Sequence, residues 1–591
     1  MNVLSKHNAK GAWLFSPAIW SLLLVLILSA CNDQTTSKPT TQTPTNPGGT
    51  AFQCAAHSSN PVSLSFAYGS EKQAWIEDVV KDFNSQKQSA CDGTITVTAT
   101  PMGSGQSMQQ IIDGSLKPDI WSPAGSVWLT LLNQKWQNKN GQNLIGTGAT
   151  DTPSLVSSPV VIAMWKPQAE ALGWPQKAIG WSDIAQLSQD PKGWAAYGHP
   201  EFGTFKFGHT HPDYSNSGLD AVIAMNYAAV NKTRTITTDD VNNQKTKDFV
   251  SSVESSVIHY GDSTGFFADK MFSNGPGYLS ATVMYESLVI EANNKIKYPN
   301  LAYPVVAIYP KEGTFYSDHP FAVLNGSWMT PAKKAAALTF RNFLLAAPQQ
   351  SKAQQYGFRP SNVTTKLATP FDSDHGVDPS QPQTLLQVPN ADVIQTILTN
   401  WGQQRRRVDV ELILDRSGSM NDPIGGTTKI EGAKQGLKEF VNLLSDDDQL
   451  GLTIFSNASD EITPISQLGP KRQDTLTRID SIVAEGGTLL FDTIAKQTAA
   501  LQTLPSKHIK AVVVLTDGDD NLSQLSVDQL IQKVAATGED AGTSIKIFTI
   551  AYGDQANKAD LTKIATATGG QEYDGNPQNI QSIYNQISVF F

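Results

Sequence analysis

Val408-Asp409-Val410-Glu411-Leu412-Ile413-Leu414-Asp415-Arg416-Ser417-Gly418-Ser419 is the stretch on which the reading of the last third of the chain turns. Residues 408–414 read as a strand, and the Asp-Arg-Ser-Gly-Ser that follows is loop chemistry. The pattern recurs at Val512-Val513-Val514-Leu515, which runs into Thr516-Asp517-Gly518. Between the two lie a helical stripe of Ile430, Ala433, Leu437, Phe440, Val441 and Leu444 and a strand at 450–455; another strand at 545–550 follows before the chain ends at Phe591. Strands alternating with helices over residues 402–591 predict one doubly wound α/β domain with a mostly parallel sheet. In such a sheet the residues just past the strand C-termini line the ligand crevice. Asp415, Ser417, Ser419 and Asp517 are therefore expected to converge, with Gly486-Gly487-Thr488 bringing one more hydroxyl to the same edge.

Two carboxylates and three hydroxyls are hard oxygen donors, a set that suits Mg²⁺, with Mn²⁺ or Ca²⁺ as alternatives in the same place. Three hydroxyls cannot fill six positions. Waters held by the two aspartates take some, and one position is left for a carboxylate from another molecule. Neutral hydroxyl ligands leave the cation much of its charge to attract that anion. Helix capping by Asp415 and Ser417, with the glycines merely turning the chain, explains each piece but not their joint placement.

The pattern Asp415-x-Ser417-x-Ser419, Thr488 and Asp517 resembles the metal-ion-dependent adhesion site of von Willebrand factor type A domains. The resemblance implies direct ligation by Ser417, Ser419 and Thr488, with Asp415 and Asp517 acting largely through water, and a protein partner that supplies an Asp or Glu carboxylate. The motif loops hold no Cys or His to act as nucleophile or base, and the Gly-rich loop lacks the Lys of a phosphate-binding loop. This domain is expected to bind rather than react.

Residues 59–401 alternate apolar strand runs (62–66, 160–164, 305–309) with amphipathic helices, too much chain for one simple sheet, so two lobes are expected. Small polar residues recur at strand ends and helix starts: Ala67-Tyr68-Gly69-Ser70, Gly103-Ser104-Gly105-Gln106-Ser107, and Tyr214-Ser215-Asn216-Ser217-Gly218. Such places expose backbone N–H groups that can hold an anionic or polar ligand. With Leu116-Lys117-Pro118-Asp119-Ile120, Val283-Met284-Tyr285-Glu286, residues 307–313 and Gly357-Phe358-Arg359-Pro360, they resemble the type 2 extracellular solute-binding proteins of ABC transporters. That resemblance implies lobes joined by crossing strands, with 160–164 and 305–309 as the crossings, closing over a small-molecule solute. Ser70, Ser104 and Ser107 would meet it from one lobe; Ser215, Ser217 and Tyr285 from the other. Glu286 argues against a bare oxyanion. The alternative is a surface scaffold or adhesin in which these hydroxyls cap helices and no solute binds. His209-x-His211 could present two nitrogens to zinc, but Pro212 and the lack of spaced Cys favour structural roles.

The whole chain has 591 residues and a formal charge of −10, which argues against a nucleic-acid partner. Residues 1–30 have the basic start and apolar run of an export signal, and Leu28-Ser29-Ala30-Cys31 resembles the lipobox of bacterial lipoproteins. The expectation is a lipid on Cys31 and a cell-membrane location facing the periplasm or exterior, with an uncleaved transmembrane helix as the alternative. Residues 31–58 are a Thr/Pro-rich tether. Two thiols then remain in an oxidising compartment, predicting a Cys54–Cys91 disulfide, with two buried free thiols as the alternative. Since no nucleophile, base and oxyanion set emerges, the chain is expected to be a binding protein and not an enzyme.

Overall fold

The computed structural model describes residues 60–148, 150–535 and 545–590. The expected export signal, the expected lipid site at Cys31, the expected tether and Cys54 lie outside the described residues. Cys91 sits between the short strand Ser89–Ala90 and the strand Gly93–Met102, with φ of 50°. No helix among the described residues is long and apolar enough to cross a membrane.

The protein is α/β throughout, and each of the two expected lobes has its own sheet. The first orders its strands Ala322–Val323, Ile120–Ser122, Val62–Gly69, Gly93–Met102 and Ser89–Ala90. The second runs Tyr316–Ser317, Val156–Trp165, Ala281–Tyr285, Phe207–Thr210 and Val257–Gly261, with Val305–Ile308 and Arg359–Pro360 also paired to the long strand. The crossings differ from those expected. Residues 162–165 and 305–308 pair antiparallel with each other entirely within the second sheet. The chain changes lobe just beside them: Tyr316–Ser317 belongs to the second sheet and Ala322–Val323 to the first, while isolated bridges pair Ser154 with Pro320 and Ile145 with Leu324. An unbroken apolar run marks a buried strand without saying which layer it joins.

After the helix Ala391–Gln404, capped by Asn390 through Val393 N–H, three arginines lead into the third sheet. Its order is Ser459–Gln467, Gln449–Phe455, Val408–Asp415, Ile509–Thr516, Lys546–Tyr552 and Glu572–Gly575. The last five are parallel, and Val408–Asp415 and Ile509–Thr516 are buried along their whole length, as strands covered by helices on both faces must be. The antiparallel edge strand Ser459–Gln467 is polar and carried no strand signal. The expected helical stripe is buried in the helix Lys429–Leu443.

The third sheet's domain is in contact with the lobes. Trp401 is buried, and its indole N–H donates to Glu254 at 2.9 Å; Glu254 also takes the hydroxyl of Tyr260 at 2.7 Å and lies 3.0 Å from His209 Nε2. Arg405 pairs with Asp448 at 2.6 Å, and Arg406 donates to the Val257 carbonyl at 2.9 Å. Tyr260 N–H donates to the Phe590 carbonyl at 3.3 Å. His209 and His211 are thus absorbed by a cluster inside the second lobe, next to this junction, His211 meeting the Trp401 ring edge-on at 4.7 Å.

Candidate functional site

The strands Val408–Asp415 and Ile509–Thr516 are neighbours in register, Leu414 opposite Leu515, so their C-terminal ends deliver Asp415 and Asp517 to one edge. Both carboxylates are fully buried. Asp415 accepts from Ser417 N–H at 2.7 Å and from the Thr516 hydroxyl at 2.6 Å. Burial nevertheless pushes its carboxyl up to about 6, the neighbouring Asp517 adding to the shift and those hydrogen bonds opposing it. Ser417 Oγ lies 3.0 Å from Ser419 Oγ, and the Ser419 hydroxyl donates to Asp517 Oδ1 at 2.9 Å. Thr488 reaches the same place. Its Oγ1 and Ser419 Oγ stand 3.8 and 4.0 Å from where a Cβ on Gly518 would be, so the two hydroxyls face the same loop position.

All five residues picked from the sequence are therefore brought together at this edge. Their loops are tied: Gly418 N–H donates to the Gly486 carbonyl at 2.9 Å, and Asn521 Oδ1 holds Thr488 N–H at 3.0 Å. Sequence reasoning missed Asn521 and Thr516. It also missed Lys429, whose ammonium lies 2.6 Å from Asp517 Oδ2 with its side chain 7% exposed. Among the described residues no group of three or more His, Cys, Asp or Glu is placed to hold a metal. The donor set here is instead mainly hydroxyl, and two carboxylates around an open, oxygen-lined gap fit a small hard cation.

The lobe cleft is a different case. Ser70, Ser104, Ser107, Ser215, Ser217 and Tyr285 are all buried, yet they are bonded to the protein itself. Ser70 Oγ accepts from Gly265 N–H of the other lobe at 3.0 Å. Ser104 Oγ accepts from Ala124 N–H at 3.0 Å, and Ser107 Oγ from the Trp121 indole at 2.9 Å. Ser215 and Ser217 share Thr264 Oγ1 at 3.1 and 2.9 Å, and Tyr285 Oη accepts from Asn216 at 3.2 Å. The exposed N–H groups expected at the start of the helix Ser104–Asp113 are also taken: Gly105 and Gln106 donate to the Tyr214 carbonyl at 2.9 and 3.1 Å.

Glu286 does not act as expected either. Arg359 grips it through two nitrogens at 2.7 and 2.8 Å and the Tyr309 hydroxyl donates to it, so its charge is neutralised inside the second lobe. Among the cleft's ionisable groups are Glu71, Lys72 and His319, the last pushed towards its neutral form by burial and by Lys72. Lys72 Nζ stands 2.7 Å from Glu71 and 3.2 Å from His319, with all three buried. Their sequence signal was only that Glu71-Lys72 follows Ser70; His319 comes from far along the chain.

The profile of the bacterial extracellular solute-binding protein family matches residues 64–359, and that of the von Willebrand factor type A domain matches residues 409–586. Inter alpha-trypsin inhibitor heavy chain 4 of Mus musculus is 24% identical over 195 residues, 30% of this chain and 20% of the mouse protein, so the chain spans about a fifth of that relative's length. The Bacillus subtilis protein YwmC is 22% identical over 194 residues, 31% of this chain and 83% of its own. Among solved structures, a periplasmic thiamin binding protein aligns at 12% identity over 60% of this chain and 100% of its own, with a TM-score of 0.44. A von Willebrand factor type A protein from Catenulispora acidiphila aligns at 22% identity over 31% of this chain and 42% of its own, with a TM-score of 0.27. The chain belongs to the bacterial extracellular solute-binding protein family, and it carries a von Willebrand factor type A domain behind the solute-binding one.

Proposed function

We propose that this is an extracytoplasmic binding protein whose von Willebrand factor type A domain grips a protein partner through Mg²⁺ and a carboxylate of that partner. The observation that carries this reading is the meeting of Ser417, Ser419, Thr488, Asp415 and Asp517 at one sheet edge. Ser417, Ser419 and Thr488 would hold the cation directly, while Asp415 and Asp517 would hold its waters; Mn²⁺ or Ca²⁺ would use the same donors. When bound, the cation supplies the positive charge that attracts the partner's carboxylate. Asp415→Ala or Ser417→Ala is expected to abolish Mn²⁺ binding in electron paramagnetic resonance titrations while leaving the far-ultraviolet circular dichroism unchanged. Undiminished binding in both variants overturns the reading.

Catalysis is not part of this proposal. At Asp409, both Ser506 and His508 bond to the carboxylate, so the serine hydroxyl is not activated by the imidazole. Lipid anchoring at Cys31 and a Cys54–Cys91 disulfide complete the reading, tested by lipid labelling of a Cys31→Ser variant and by peptide mapping without reductant.

A second reading, a surface scaffold whose lobes hold no solute, is favoured by one observation. The N–H groups at the cleft's helix start grip the Tyr214 carbonyl, leaving them no free valence for a ligand in this closed arrangement. Native mass spectrometry before and after denaturation separates the two. A released small molecule makes the lobe pair a receptor; none makes it a scaffold.

A further inference from the structure

Resting on the metal-dependent reading above, we propose that Lys429 is an internal counter-charge that holds down the crevice's own affinity for its cation, so that the partner's carboxylate is needed to secure it. Lys429 is the first residue of the helix Lys429–Leu443, a place where a cation is disfavoured because the helix dipole already presents positive charge there. It is also buried, where a charge needs a partner. Two aspartates account for its presence: Asp517 at 2.6 Å and Asp422 at 3.7 Å, the latter half exposed.

The lysine is not free to leave. Thr428 caps its helix by accepting from Glu431 N–H, Lys429 N–H donates to the Asp422 carbonyl at 3.0 Å, and the side-chain Cε lies 3.4 Å from where a Cβ on Gly553 would stand. Gly553 has φ of 90°, a conformation that favours glycine, so the backbone passes close over the lysine stem. With the helix start and the stem so held, the ammonium is expected to stay beside Asp517 when a metal enters the crevice. One of the two carboxylate charges that would draw in a divalent cation is offset before the cation arrives. The same fixed positive charge adds to the pull on an incoming carboxylate. The consequence is a site that binds the metal weakly alone and firmly together with the partner's anion, which restricts tight gripping to partners that present a carboxylate.

The test is Mn²⁺ titration of the purified full chain, followed by electron paramagnetic resonance, for the wild type, K429M, K429Q and K429R. Removing the charge is expected to tighten Mn²⁺ binding about ten-fold in K429M and K429Q, with K429R close to the wild type. A lysine that merely propped up the loops would give the opposite sign, since its loss would loosen the site. Equal or weaker Mn²⁺ binding in K429M and K429Q overturns the proposal while leaving the metal reading intact. Absence of Mn²⁺ binding in every protein, wild type included, overturns both. Should K429M fail to fold, K429Q, which retains a hydrogen bond to Asp517, decides the matter.

Discussion

Glu411 lies mid-strand in Val408–Asp415, buried, with the Thr453 hydroxyl donating to it at 2.6 Å. Burial, with the nearby charge of Glu461 adding, pushes its carboxyl from 4.5 up to about 8. A raised acid in the folded state means that the unfolded chain ionises first, so the contribution of Glu411 to stability is fully present below about pH 4.5 and is lost as pH climbs towards 8. Glu411→Gln removes the ionisation. It is expected to be more stable than the wild type at pH 8 by about 2 kcal/mol and by much less at pH 5, as read by guanidinium unfolding. A difference independent of pH would mean that Glu411 is already ionised in the folded protein. At this scale the oxygen-rich crevice was legible: Asp415, Ser417, Ser419 and Asp517 sit at or just past strand ends, and Thr488 sits in the loop before the helix Leu490–Gln502. Lys429 was not legible, because its partner Asp517 lies 88 residues away.

The helix Ser104–Asp113 shows how an element's termini change meaning on packing. Its first turn is rich in Ser and Gly, which fits a ligand-holding end, yet the Tyr214 carbonyl of the opposite lobe occupies it. Gly105 is required there because a Cβ would stand 2.1 Å from the Asp213 carbonyl and 2.8 Å from Trp128. Gly105→Ala favours the isolated helix by about 1 kcal/mol and clashes with backbone across the cleft. The expected result is a pair of lobes held apart, seen as a larger radius of gyration in small-angle X-ray scattering with helix content retained. An unchanged radius would mean that the lobes can slide to accommodate the methyl. The edge strand Ser459–Gln467 was not legible, since a polar strand on a sheet edge has no apolar alternation to announce it.

Across the whole molecule, the junction decides whether the two domains act as one. Trp401 meets Tyr260 at 5.3 Å and His211 at 4.7 Å, and Glu254 gathers Trp401, Tyr260 and His209 into one buried cluster. The C-terminal helix Ile580–Ser588 borders a groove shared with Gln106 and Asp113 of the first lobe and Tyr214 and Asp262 of the second. Lobe opening is therefore expected to change the walls of this groove. Trp401→Ala is expected to cost about 3 kcal/mol or more, to loosen the last lobe helix and Tyr260, which carry the Arg406 and Phe590 contacts, and so to split a common calorimetric unfolding transition into two. A single transition of undiminished enthalpy would show that the arginine contacts alone keep the domains together.

The sequence by itself determined the two α/β units, their order and the oxygen-rich crevice, because periodicity and loop chemistry are local and a parallel sheet carries its strand ends to one edge. Only the tertiary structure decided that the cleft serines bond to the protein itself, Ser70 across to the opposite lobe, that Arg359 neutralises Glu286, that Lys429 shares Asp517, and that the histidine pair packs against Trp401. Each of these depends on which distant group a buried polar atom meets. Buried polar atoms must be paired, and nothing in local sequence names the partner.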